Sequence, residues 1–339
     1  MKRVRTVLFG LGAVNRGLLK ILLEKKEEIV KRYHCEFIIV GVADSSGVAY
    51  HSGGYPYSKL LDLKPSGKKV SSLNGFREDL NMISRMDEME AEVLIEGSPG
   101  NIHSGEPGLS VSQKALSKKW SVVLANKTPL LFAWNELHNL ARQNQCGIKF
   151  SATVCGGLPV INVLQRDLKG ARLKNLQGIF NATTNYVLQE LQRGGTMEAA
   201  IKEAQRIGAA EADPSYDING YDTANKLFII MKSFTDFNGT IQDIKVQGIQ
   251  ALSREEILEA ERRGNTIKLV ASAEIIQDNW KLSVAPSRVL AQSFLGSCNG
   301  WEMGIELETD LYESIRMKNY EADPLGTAAA VLRDAIDLI

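Results

Sequence analysis

The sequence predicts an α/β protein: an N-terminal, doubly wound parallel sheet followed by an α+β half, with the last helix returning to the first domain. Three observations carry that reading. A short apolar run at residues 4–9 empties into Gly10-Leu11-Gly12-Ala13-Val14-Asn15-Arg16-Gly17 and then into a helical pattern. Strand-like and helix-like segments alternate from there to about residue 150, as βαβ crossovers do. Beyond residue 240, long strand-like segments at 266–276, 279–287 and 301–309 follow one another, as in an antiparallel sheet faced by helices.

Taken in order, the strand at 4–9 and its glycines form a dinucleotide fingerprint of the Rossmann type. Gly10 and Gly12 let the backbone approach a pyrophosphate, which would rest on Leu11, Ala13 and Val14 at the start of a helix running to about residue 32. Asn15 stands where a third glycine is expected, so helix and strand should pack slightly further apart. A strand at 37–43 ends in Asp44, which either accepts the ribose hydroxyls of NAD or caps a turn. Residues 48–76, rich in Gly, Ser, Tyr and Lys, read as a loop over the sheet. A strand at 93–96 leads to Ser98-Pro99, a helix follows at 108–118, and a strand at 121–124 closes with Ala125-Asn126-Lys127. Both turns fall at carboxyl ends of strands, where such sheets bind ligands. A helix at 133–145 and a strand at 148–152 complete a first domain of residues 1–150. Residues 151–318 form a second domain, and 319–339 carry the returning helix with Gly326 at its start. Cys155, with no histidine nearby in sequence, reads as a small core residue.

Composition excludes several classes. Forty Lys and Arg balance forty Asp and Glu, so no field attracts nucleic acid or an acidic membrane surface. No apolar run approaches the roughly 20 residues of a membrane span. The four cysteines are scattered without a CxxC pair, which suits reduced thiols in a cytoplasm better than disulfides or zinc. The long apolar faces of the C-terminal strands suggest a subunit interface, and hence a homodimer.

The most informative stretch is Gly208-Ala-Ala-Glu211-Ala-Asp213-Pro214-Ser-Tyr-Asp217-Ile-Asn-Gly220-Tyr-Asp222-Thr-Ala-Asn-Lys226. Up to Gly220 the Pro, Asp and Gly content predicts a loop, and from Asp222 the spacing of Ala224, Leu227, Phe228 and Met231 predicts a helix. Asp222 and Lys226 then share one helical face. This string resembles the signature of the homoserine dehydrogenases. Ala125-Asn126-Lys127, Asn181-Ala182-Thr183-Thr184-Asn185-Tyr186 and Arg263-Gly264-x3-Lys268-Leu269 resemble further motifs of that family.

The resemblance implies hydride transfer between a small amino acid bearing a primary alcohol, L-homoserine, and NAD or NADP, giving L-aspartate 4-semialdehyde. It implies that Glu211 and Asp222 receive the substrate ammonium, with Asp217 nearby and Thr183 touching the substrate. Lys226 would move the hydroxyl proton, and Lys127 would serve as second cation and proton relay. Two lysines beside each other would bring a base of pKa about 10.4 towards neutrality. Ser98, Pro99, Ala125, Lys127, Gly208, Glu211 and Gly326 would border the coenzyme. Carbonyls of Val154, Gly156 and Leu158 would bind a monovalent cation such as Na+, although Ser151 stands where the family often has a glutamate. Glu321 and Asp323 replace glycines expected against the coenzyme. That departure leaves open a sister dehydrogenase of other substrate, or a nucleotide-binding protein without turnover. The resemblance ends with a catalytic unit and no regulatory domain.

Overall fold

The computed structural model describes residues 1–78, 81–206 and 213–339, and these form two compact units: Met1–Gly157 with Pro324–Ile339, and Leu158–Asp323. The first unit contains β1 (Lys2–Phe9), α1 (Ala13–Glu24), α2 (Lys26–Tyr33), β2 (Cys35–Asp44), β3 (Gly47–Tyr50), α3 (Tyr57–Leu61) and β4 (Phe76–Arg77). It continues with α4 (Met82–Met86), β5 (Val93–Glu96), α5 (Gly108–Ser117), β6 (Ser121–Leu124), α6 (Thr128–Gln143) and β7 (Ile148–Lys149). The strands lie in the order β4-β3-β2-β1-β5-β6-β7. From β2 to β7 the pairs are parallel, and β3 and β4 extend the sheet antiparallel. Val4, Val7 and Leu8 are fully buried, as befits a parallel strand covered on both faces. β2 lies on one side of β1 and β5 on the other. The strand order therefore reverses at β1, the point where such sheets bind ligands.

Four expectations in this unit need correction. The first helix is two, because the chain leaves helical geometry at Lys25 (φ −109°, ψ 17°) before α2 begins. Residues 48–76 are not a bare loop but hold β3, α3 and β4, strands too short for alternation to register. α6 starts at Thr128 and is broken at Ala133 (φ −136°, ψ 36°), which is why periodicity is legible only from there. β7 stops at Lys149 because residues 151–153 coil into a 3₁₀ turn.

The second unit opens with α7 (Val160–Asn162), then β8 (Leu173–Ile179), α8 (Ala182–Gln192), α9 (Met197–Arg206), α10 (Ser215–Ile218) and α11 (Tyr221–Phe234). β9 (Ile244–Val246), α12 (Arg254–Arg262), β10 (Asn265–Ile276), β11 (Asn279–Leu290), β12 (Glu302–Thr309) and β13 (Ser314–Tyr320) complete it. Its sheet runs β13-β12-β8-β10-β11-β9, antiparallel except where β9 joins β11. β13 was not expected: its residues alternate between exposed and half-buried with none in a core, so no apolar signal marks it. α10 interrupts the expected loop. Pro214 precedes its first turn, where a missing N–H costs nothing. α11 buries Leu227, Phe228, Ile229, Ile230 and Met231 on successive sides, which makes it the central helix of this unit.

The last helix, α13 (Leu325–Ile336), belongs to the first unit. Ala330, Val331 and Ala335 share a core with Leu18, Leu19 and Leu22. A Cβ on Gly17 would stand 2.9 Å from that of Ala328, so two small residues let α1 and α13 meet closely.

Candidate active site

In the first unit the candidate site forms where β1 and β5 end. Gly10 has φ +89°, and a Cβ there would lie 2.6 Å from the Gly97 carbonyl and 2.8 Å from Ser98 Cα. The two turns therefore touch backbone to backbone, which glycine alone allows. Gly12 precedes α1 without a side-chain cap, and the first turn, with Ala13 and Val14, carries no acidic residue. That helix start is a place for a phosphate. These residues fit a dinucleotide. Asn15 occupies the third-glycine position. Its buried Nδ2 donates to the Gly10 carbonyl at 2.7 Å and ties the helix to the turn.

Asp44 is engaged within its own loop. Oδ1 accepts from Ser46 N at 2.7 Å and Ser46 Oγ at 2.5 Å, and Oδ2 accepts from Val70 N at 3.0 Å. Of the two roles open to it, the turn-holding one is visible. Ser98 is tied to Glu96, whose Oε1 accepts from the Ser98 amide at 3.0 Å and from its hydroxyl. Ala125 donates its N–H to the Glu96 carbonyl at 2.8 Å. Lys127 directly precedes α6, and Asn126 beside it accepts from Thr128 N and Oγ1 at 2.9 Å each. Gly326, at the start of α13, approaches Gly157 so nearly that a Cβ on Gly157 would meet its Cα at 3.1 Å.

In the second unit the ends of β8 and α10 meet the start of α11. Lys226 Nζ donates to the Phe180 carbonyl at 2.6 Å and to Asp222 Oδ2 at 2.7 Å. Asn181 Nδ2 reaches Asp222 Oδ2 and Asp217 Oδ1, both at 2.8 Å. Its Oδ1 meanwhile accepts from Thr184 N at 2.8 Å and caps α8. Asp222 and Lys226 are largely buried, 7% and 15% exposed at their side chains, so their pairing is screened little by water. Thr183 is buried in the first turn of α8. Asn225, also buried, donates to the Tyr216 hydroxyl, and burial pushes that phenol above its ordinary value. The structure thus pairs Asp222 with Lys226, as their spacing implied, and Asn181 joins Asp217 to them. Gly208 and Glu211 lie outside the described residues.

Two residues of this geometry escaped the sequence reading. Asn181 bridges the carboxylates; its signal was its place at the head of the Asn181–Tyr186 motif. Glu96 is a fully buried acid ending an apolar strand, and the signal was the run Val93-Leu94-Ile95-Glu96 itself. Glu321 is held by its own strand pair. Its N–H donates to the Trp301 carbonyl at 3.2 Å and its carboxylate accepts from Asn319 at 3.0 Å.

The residues named for a monovalent cation fit one poorly. Ser151 is committed to Asp334, which accepts from its N–H at 2.7 Å and its hydroxyl at 2.5 Å, and Arg333 donates to the same hydroxyl oxygen at 3.0 Å. The Leu158 carbonyl already accepts from Val160 N at 2.8 Å. Val154 is buried, and Cys155 and Gly156 turn through left-handed geometry (φ +53° and +51°). No group of three His, Cys, Asp or Glu side chains among the described residues is arranged to hold a metal.

Residues 159–336 match the family model described as homoserine dehydrogenase. The homoserine dehydrogenase of Methanocaldococcus jannaschii is 34% identical over 98% of this chain and 97% of its own length. The NAD(+)-dependent homoserine dehydrogenase of Pseudomonas canavaninivorans is 29% identical over 100% of this chain and 97% of its own. A hyperthermophilic archaeal homoserine dehydrogenase in complex with NADPH superposes with a TM-score of 0.83 at 27% identity, covering 99% of this chain and 97% of that one.

Proposed function

Because the chain belongs to the homoserine dehydrogenase family, we propose that it interconverts L-homoserine and L-aspartate 4-semialdehyde, with Lys226 carrying the hydroxyl proton. It is an NAD(P)-dependent oxidoreductase acting on a CH–OH group. The observation that carries the residue assignment is the placement of the Lys226 ammonium against Asp222, on the carboxylate oxygen that Asn181 also holds.

The coenzyme, when bound, supplies the hydride acceptor. Gly10, Leu11, Gly12, Ala13 and Val14 would hold its pyrophosphate at the start of α1, and Ser98, Pro99, Ala125 and Lys127 would border its reactive end. In the second unit, Asp217 and Asp222 sit within reach of one amide nitrogen, and like charges so crowded attract a cation. The α-ammonium of an amino acid is such a cation. Thr183 positions the substrate from the first turn of α8. As a neutral amine Lys226 takes the proton from the hydroxyl during oxidation and becomes the ammonium; during reduction the ammonium gives that proton to the aldehyde oxygen. Lys127 adds a second positive charge at the mouth of the coenzyme crevice. No step passes through a monovalent cation.

No helix among the described residues is long and apolar enough to cross a membrane, and Cys35, Cys146, Cys155 and Cys298 are free thiols, which supports a cytoplasmic enzyme. A homodimer formed through the second unit's sheet suits its uncovered edge strand β13. The test is nicotinamide absorbance with L-homoserine and each coenzyme, wild type beside Asp222→Ala. The expected outcome is turnover of L-homoserine by the wild type, and a Michaelis constant for the amino acid raised roughly tenfold or more in the variant, as lost uniform binding does. An Asp222→Ala enzyme with an unchanged Michaelis constant would remove Asp222 from the substrate pocket.

A further inference from the structure

Glu96, at the end of β5, has no part in the proposed reaction and is wholly buried. Its Oε1 accepts from the Ser98 amide and hydroxyl. Its Oε2 has no hydrogen-bond partner among the described residues, and neither has Asn126 Nδ2. Both groups flank one point: a Cβ on Gly108 would stand 3.0 Å from Asn126 Nδ2 and 3.0 Å from Glu96 Cδ. Because Asn126 Oδ1 already accepts twice from Thr128, the amide is oriented with its nitrogen towards the carboxyl. The turns themselves also touch, since a Cβ on Gly100 would meet Asn126 Oδ1 at 2.6 Å.

We propose that Glu96 is a positioning residue for coenzyme binding: its carboxylate holds the Ser98-Pro99 turn with one oxygen and faces the Asn126 amide with the other, fixing the turn that carries Lys127. The proposal rests on the reading that Ser98 and Lys127 border the coenzyme. Every group aimed at the carboxyl is an N–H or O–H, so the arrangement is complete only when Glu96 is ionised. A proton on Oε2 would confront the Asn126 N–H and break it. Burial pushes the carboxyl up to about 7, while Ser98 and Asn126 hold it down. In sequence Lys127 follows Asn126, and Glu106, two residues before Gly108, is itself engaged by the Ser110 amide and hydroxyl.

The experiment is a fluorescence titration of the reduced coenzyme, NADH or NADPH, whichever binds tighter, from about pH 5.5 to about pH 9, with kcat/KM measured alongside. Wild type should lose coenzyme affinity about tenfold as pH falls through neutrality, in a one-proton transition. Glu96→Gln places an amide where the protonated acid would be, so it should bind weakly at every pH and show no transition. Comparison on the same coenzyme cancels the coenzyme's own ionisations. Ser98→Ala removes a donor to the carboxylate and should move the transition to higher pH, which keeps the proposal testable if Glu96→Gln does not fold. Glu96→Gln titrating like wild type, or Ser98→Ala leaving the transition in place, overturns the proposal. Lys127→Ala separates the premises: if it lowers turnover while Glu96→Gln behaves as wild type, the site stands and the positioning role falls. If Lys127→Ala is itself unchanged, both fall.

Discussion

Asn181 illustrates how much one side chain can decide. Its carbonyl oxygen caps α8 while its amide nitrogen holds Asp217 and Asp222 side by side. Removing it as Asn181→Ala should cost about 1 kcal/mol through the cap alone and should also raise the Michaelis constant for L-homoserine, because the carboxylates would move apart. Denaturant titration and initial rates on one preparation would show both effects; a lost cap with unchanged substrate affinity would contradict the bridging role. Glu96 offers a prediction in pH. Its folded pKa of about 7 lies above the ordinary 4.5, so the proton is held more tightly by the native state. The stabilisation this gives is complete below pH 4.5 and is lost as pH rises through 7. The loss amounts to something on the order of 3 kcal/mol. Denaturant unfolding of wild type across that range should show this decline relative to Glu96→Gln, and parallel curves would mean the acid is ionised throughout.

Among elements, those with strong periodicity and clear ends were legible. β1 and α1 announce themselves through an apolar run and a glycine turn, and α11 through Ala224, Leu227, Phe228 and Met231. The Asp222–Lys226 pair was legible for the same reason: both lie on α11, where spacing translates into geometry. Asn181 lies 41 positions from Asp222, so no spacing rule joins them, and the bridge appears only once β8 and α11 are packed. β13 and β4 were silent because neither carries a buried residue. The break at Ala133 hid the first turn of α6. The size of Asn15 is visible in the sequence, whereas its hydrogen bond to the Gly10 carbonyl is not. At this scale Gly10→Ala should be severe. The left-handed φ and a 2.6 Å approach to the Gly97 carbonyl leave no room for a methyl group, and strain of roughly 1–3 kcal/mol together with weakened coenzyme binding is expected. Calorimetric coenzyme titration of Gly10→Ala that matched wild type would show that the turns can separate freely.

Across the whole molecule, the chain begins and ends in the same unit. Asp334 on α13 is completely buried and receives both the N–H and the hydroxyl of Ser151, residues 183 apart in sequence. Asp334→Ala would leave those two donors without their acceptor and should destabilise the protein by about 2–4 kcal/mol. On the proposed function the chemistry depends on Lys226, which the Phe180 carbonyl and Asp222 hold. The most direct test is the turnover number of Lys226→Ala with saturating L-homoserine, measured beside its coenzyme dissociation constant. The expected result is a turnover lower by roughly 10² to 10⁴ with coenzyme affinity unchanged, as for loss of a placed acid–base group. A variant that keeps more than about a tenth of wild-type turnover would contradict the assignment of proton transfer to Lys226.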